Sequence, residues 1–263
     1  MKKKYVLAAA CSLAIATGFA QTKTVTLDYY FNHEFKKAAN GEMARFHYMW
    51  EDTAQSGFSK LGSVFTKNGF KLKTLEIAPT ASNLKGTSVY LIVDPDTDKE
   101  TAKPNYIQPE DIKAIETFVK KGGIVLMLAN DSLNVEFEHF NHLTEAFGIH
   151  LNKDIKSRVK GDEFEMAAFY TPKHDKIFKT AKHVYLKEVT SLSLSKTAKP
   201  ILVHQTEKYV VAAAAKVGKG MVVVVGDPWF YNEYLNGRLG ENTGWDNDKA
   251  ADDLVKWFGK LAK

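Results

Sequence analysis

The chain has 263 residues, 44% of them hydrophobic and 12% aromatic, enough for one large α/β domain with a substantial core. Its 36 basic and 31 acidic residues are spread along the chain, so composition excludes the concentrated basic footprint of a nucleic-acid binder. The one cysteine, Cys11, lies in an N-terminal segment with the anatomy of a signal peptide.

That segment opens with a basic Met1-Lys-Lys-Lys4, continues with a short apolar run from Tyr5 to Ile15, and closes on Gly18-Phe19-Ala20. Residues 1–20 are expected to be removed before Gln21, giving a periplasmic or secreted protein. Lipid attachment at Cys11 is the alternative. The run is too short to span a bilayer. Loss of Lys2, Lys3 and Lys4 brings 36 basic residues to 33 against 31 acidic ones, a net charge near +2. Without Cys11, disulfides, thiolate metal sites and cysteine nucleophiles disappear together.

From Gln21 the chain reads as a single domain, 21–263. Thr24 to Phe31 alternates as a strand and runs into a polar loop. Ser56 stands where a helix N-cap is expected, ahead of Phe58, Leu61, Val64 and Phe65. Lys71 to Ile77 reads as a strand, and Ser88 to Asp94 as a buried one. Pro109 opens a helix with Ile112, Ile115, Phe118 and Val119 on one face, stopped at Gly122. Gly123 to Leu128 is another buried strand, followed by a helix from Phe137 to Phe147 closed by Gly148. Short strands are expected at His183 to Val189 and Lys199 to His204. Tyr209 to Lys216 and Gly220 to Val225 form a hairpin, and a last helix starts near Asn247. Strands alternating with helices predict a doubly wound, mostly parallel α/β sheet of flavodoxin or glutamine amidotransferase-like type, with antiparallel strands added at one edge.

The most informative stretch is Met221-Val-Val-Val-Val-Gly-Asp-Pro-Trp-Phe-Tyr-Asn-Glu-Tyr234. Four consecutive valines predict a strand buried on both faces, and Asp227 falls where it ends. Four strands end in polar residues: His33 and Glu34, Asp94 and Asp96, Asn130 and Asp131, and Asp227. If these strands are parallel, the polar ends share the rim where α/β sheets bind ligands. Trp50 and Trp229 would give that rim aromatic walls, an arrangement suited to a sugar.

Several chemistries are not supported. There is no G-x-S-x-G elbow. Asp94-Pro-Asp-Thr-Asp98 fails as a calcium loop, because Lys99 and Asn105 stand where glycine and glutamate are needed. His33, His47, His139 and His142 lack zinc spacing. Gly122-Gly123 follows a helix and so is a cap, not a phosphate cradle. No cofactor and no metal is expected; a looser oxygen-rich metal site of Asp94, Asp96 and Asp131 is the alternative.

Tyr30-Phe-Asn-His-Glu34, Phe46-His-Tyr-Met-Trp-Glu-Asp52, Asp94-Pro-Asp-Thr-Asp-Lys-Glu100 and Gly226 to Tyr234 resemble a bacterial domain family of unknown function. In some polysaccharide-degrading bacteria it is fused to unsaturated rhamnogalacturonyl hydrolases of glycoside hydrolase family 105. The resemblance implies a pectin-type context, an oligosaccharide ligand and protein partners among glycan-degrading enzymes. The strand order is also similar to the class I glutamine amidotransferase-like superfamily. The turn comparable to that superfamily's nucleophile elbow is Leu128-Ala-Asn-Asp131, which has no cysteine.

Three readings follow. One is a carbohydrate-binding or accessory protein with Trp50 and Trp229 as platforms, His33, Arg45 and His47 near a uronate carboxylate, and Asp94, Asp96, Asn130, Asn232 and Glu233 on hydroxyls. Another is a glycan-processing hydrolase with an acid–base pair drawn from Glu34, Glu51, Asp131 and Asp227. The last is an interaction domain whose polar rim only caps helices.

Overall fold

The computed structural model describes residues 22–195, 197–235 and 244–262. Residues 1–20, expected from the sequence to be a signal peptide and containing Cys11, and Gln21 lie outside them.

Five strands form a parallel core in the order β4 (Phe70–Leu75), β1 (Lys23–Asp28), β5 (Val89–Val93), β6 (Ile124–Leu128) and β13 (Gly220–Val225). Numbered within the core, that order is the flavodoxin-like 2-1-3-4-5. Antiparallel strands extend the sheet beyond β13: β12 (Val210–Val217), then β10 (Leu192–Leu194) and β7 (Ile149–Leu151), with β11 (Lys199–Val203) also pairing with β12. The expected antiparallel additions therefore lie along one edge.

The uninterrupted apolar runs are explained by helices on both faces. Val223 and Val225 enter one core with Leu91, Val93 and Leu126, beneath α1 (Ser59–Lys67) and α4 (Asn247–Leu261). Val222 and Val224 enter the other with Tyr90, Ile92 and Met127, beneath α2 (Pro109–Lys120) and α3 (Phe137–Ala146). A one-residue slip would exchange these two sets, so the register is strongly specified.

Three differences from the sequence reading have local causes. The first strand stops at Asp28, because Asp28 Oδ1 accepts the amides of Tyr30 (3.1 Å) and Phe31 (2.8 Å) and turns the chain out of the ladder. The polar loop after it contains a two-stranded ribbon, β2 (Phe35–Lys37) against β3 (Met43–Arg45). The strand expected over His183 to Val189 is only β9 (His183–Tyr185), pairing with β8 (Ala168–Tyr170), because the partner begins at Ala168, directly after a 3-10 turn over Phe164–Ala167, and Glu188, with a positive φ of 52°, breaks the run beyond it.

Helix α1 also departs from expectation. Its N-cap is Phe58, not Ser56, and no side chain of the cap residue bonds to it. Asn232, far along the chain, supplies the missing acceptor: its Oδ1 takes the Lys60 amide at 3.0 Å. Asn232 Nδ2 donates to Asp52 O (2.9 Å), Ala54 O (2.8 Å) and Ser59 Oγ (3.0 Å). Truncating the buried Asn232 side chain to alanine removes four hydrogen bonds at once and is expected to cost about 2–4 kcal/mol in urea denaturation. A loss below about 1 kcal/mol would show that this staple is replaceable.

Candidate functional site

The parallel core brings the ends of β1, β5, β6 and β13 to one rim. The ladder even continues past the strands: Asp94 N donates to Leu128 O at 2.8 Å, and Ala129 N to Val225 O at 2.8 Å. Asp94, Asn130 and Asp227 thus stand on three adjacent strand ends. Asn130 Nδ2 donates to Asp94 Oδ2 at 3.1 Å, and the Tyr48 hydroxyl donates to the same oxygen at 2.8 Å. Asp94 holds a positive φ of 44°, and His47 and Tyr48 hold 63° and 47°. Non-glycine residues in that region carry backbone strain, which tends to collect at functional positions.

Asp94 is 5% exposed and Asp227 2% exposed. Burial pushes both carboxyls well above the usual range; Asn130 and Tyr48 pull Asp94 back only in part, as do Lys187 and Tyr234 for Asp227. Neighbouring acids add to the rise: Asp227 feels Asp94 and Glu233, and Asp94 feels Glu100 and Glu34. Each keeps one oxygen, Oδ1, buried and without a hydrogen-bond partner among the described residues.

Phenols link the two acids. Tyr48 meets Tyr231 edge-on at 6.3 Å, Tyr231 lies 4.7 Å from Tyr234, and the Tyr234 hydroxyl donates to Asp227 Oδ2 at 3.4 Å. Burial raises the pKa of all three phenols, so they stay protonated as donors. Lys187 Nζ lies 3.5 Å from Glu233 Oε1 and is half-buried, as are Tyr231, His47 and Asn130. The arrangement is a pair of buried carboxyl groups and three phenols under a partly open edge. It can donate to and accept from a hydroxyl-bearing molecule.

The remaining residues singled out in the sequence serve other roles. Trp50 is 9% exposed, donates from Nε1 to Lys73 O at 3.1 Å, and packs on Phe58 and Phe65. Trp229 is 1% exposed, stacked on Phe230 and against Phe178. The expected aromatic walls are therefore core residues, because both indoles gain more from burial than from lining an open cleft. Asn232 is the staple described above. Glu51 is exposed and 3.7 Å from Arg45, which also pairs with Glu76 at 3.0 Å and lies over the Tyr29 ring. Asp131 closes its own turn through Leu133 N (2.8 Å) and Asn134 Nδ2 (3.0 Å). Glu34 pairs with His47 Nδ1 at 2.6 Å.

Asp96 ties the β1 and β5 loops together, accepting from His33 N at 2.9 Å and from the Thr101 hydroxyl; burial raises its pKa to about 6. His33 Nδ1 lies 2.9 Å from Tyr29 O. Among the described residues no three His, Cys, Asp or Glu side chains come together as a metal-binding group.

Sequence reasoning does not single out Tyr48, Tyr231, Tyr234 or Lys187 as site residues. The tyrosines do lie inside the motifs quoted above. Nothing local marks Lys187, which arrives from a distant loop.

Among solved structures, the chain is similar to the mmIFT52 N-terminal domain, with a TM-score of 0.66 and 18% identity over 90% of this chain and 97% of that one. It is also similar to the cytoplasmic protein STM1381 from Salmonella typhimurium LT2, with a TM-score of 0.58 and 12% identity over 92% of this chain and all of that one (100%). Against an exo-β-1,4-mannosidase, Op5Man5 from Opitutaceae bacterium strain TAV5, the TM-score is 0.50 at 12% identity, over 92% of this chain and 36% of the mannosidase. At these identities the likeness is one of fold. No curated protein matches the sequence. A family model does match, over residues 51–242, and the chain belongs to that family, described as a domain of unknown function, DUF4350.

Proposed function

We propose that the protein is a secreted or periplasmic carbohydrate-binding or accessory protein, taking uronate-containing oligosaccharides at the rim formed by Asp94, Asn130 and Asp227. The observation that carries this reading is the pair of buried carboxyl oxygens without a partner among the described residues, Asp94 Oδ1 and Asp227 Oδ1, on the two strand ends that flank β6. A buried polar atom is costly until bonded, and a sugar hydroxyl both donates and accepts. Lys187 and His47, half-buried at the same edge, would face a uronate carboxylate. The pectin-type context rests on the resemblance to domains fused with rhamnogalacturonyl hydrolases. The fold recurs as about a third of the mannosidase chain, which fits an accessory role beside glycan chemistry. The expected likeness to amidotransferase-like proteins lends no reaction, since the turn after β6 has no cysteine.

The test is a chromatographic assay of purified protein with a pool of pectic oligosaccharides, alongside retention on immobilised protein. Retention without turnover, weakened about tenfold or more in Asp94→Asn and Asp227→Asn, is the expected outcome. A new product that is lost in Asp227→Asn would replace the binding reading with a hydrolase. Neither retention nor product would leave the rim as structure alone.

A further inference from the structure

At the opposite end of the sheet, where β5, β6 and β13 begin, lies a cavity of about 380 Å³. Its floor is apolar: Leu84, Phe118, Leu261 and Ala262. Three exposed lysines stand around it, Lys85, Lys121 and Lys219, and among the described residues its lining contains no carboxylate. The Gly122-Gly123 pair, a helix cap by sequence, gains a second purpose here. A Cβ on Gly123 would come within 2.4 Å of the Phe118 ring, so only glycine lets that ring lie along the floor. Thr117 on α2, whose hydroxyl donates to Lys113 O at 2.8 Å, lines one side.

The helix ends account for part of this charge. The carbonyl end of α2 bears partial negative charge, and Lys121 follows it directly, where a cation is favourable. Lys219 also stands at that end, its amide donating to Lys120 O at 3.1 Å, whereas Lys85 belongs to a turn. Three cations around an apolar floor of ligand-binding size define a complement.

We propose that this cavity binds a small organic anion, an apolar acyl or aromatic body carrying one acidic group, with the body on Phe118 and Leu261 and the acid among Lys85, Lys121 and Lys219. The site is separate from the rim and does not depend on what the rim binds.

Titration with the fluorescent anion anilinonaphthalene sulfonate, and with its uncharged parent phenylnaphthylamine, tests both halves. The anion is expected to bind with one-to-one stoichiometry. Its affinity should fall about tenfold or more when Lys85, Lys121 and Lys219 are all changed to glutamine, with the parent unaffected. Thr117→Phe, on the outer side of α2, should fill the space and abolish binding of both. Displacement by octanoate would point to an acyl ligand, and displacement by phenylpropionate to an aromatic acid. Displacement by neither, equal affinity for the uncharged parent, or anion binding that survives Thr117→Phe would overturn the proposal.

Discussion

Gly226→Ala is expected to destabilise the protein by about 4 kcal/mol or more, lowering the thermal midpoint by roughly 8–16 °C. A Cβ at this position would lie 1.9 Å from the Thr190 carbonyl oxygen and 2.9 Å from its carbon. That oxygen cannot step aside cheaply. The Thr190 amide donates to Gly226 O at 2.9 Å, and the Gly226 amide donates to Val211 O at 2.8 Å. Asp154 then fixes the next residue, accepting from Ser191 N and the Ser191 hydroxyl at 2.7 Å each. Relief of the clash must break the first of these bonds and shift Asp227, the adjacent residue. Gly69→Ala is the control. Gly69 has a positive φ of 82°, but a Cβ there would meet nothing within 4 Å, so only conformational strain of about 1 kcal/mol applies. Thermal unfolding of the two variants side by side decides the matter. Equal losses would show that the close approach of Thr190 is not what demands glycine.

The second large effect is one of pH. Asp28 is fully buried at the end of β1, and burial raises its carboxyl from 3.8 to about 7 against the opposing bonds from Tyr90, Phe31 and Tyr30. The folded chain therefore keeps this proton to about pH 7, while the unfolded chain releases it near pH 3.8. Between those values the folded state binds more protons, so stability falls as pH rises and levels off above the folded pKa. About three units at 1.36 kcal/mol each amount to roughly 4 kcal/mol between pH 4 and pH 8.

Asp28→Asn removes this slope, because an amide has no proton to lose. It keeps an acceptor for the Tyr30 and Phe31 amides, and its Nδ2 can donate to the Tyr90 oxygen. Relative to the parent protein, the variant is expected to be more stable by a few kcal/mol at pH 8 and close to it at pH 4. Asp94, Asp96 and Asp227 slope the same way in both proteins, so the difference between the two pH profiles isolates Asp28. Denaturant melts at the two pH values would refute the assignment if the variant's advantage did not change.

The central sheet was legible because its strands leave no freedom. Met221-Val-Val-Val-Val225 has nothing but apolar side chains to offer either face, so only a strand covered on both sides suits it. The rim was legible for a related reason: parallel strands must end together, and Asp94, Asn130 and Asp227 each follow an apolar run. Asp28 escaped notice because Thr-Val-Thr-Leu-Asp-Tyr-Tyr-Phe alternates straight through it, and the turn that ends the strand is made by its own side chain. Trp50 and Trp229 were misplaced because a loop indole can cover a core as readily as line a cleft, and sequence spacing does not separate the two. Asn232 looked like a ligand group but bonds to main chain and to the Ser59 hydroxyl between residues 52 and 60, contacts that depend on the loop's position in space.

The position of β13 has a consequence for how the chain must be made. This strand pairs with β6 in the middle of the sheet, yet nearly a hundred residues separate Leu128 from Gly220 in the sequence. As the chain leaves the ribosome, β4, β1, β5 and β6 can assemble while the Ile124-Val-Leu-Met-Leu128 edge stands bare, an apolar template for any other strand nearby. The nascent protein is therefore exposed to mispairing until almost its last segment emerges, and fragments that end before Gly220 should aggregate rather than fold.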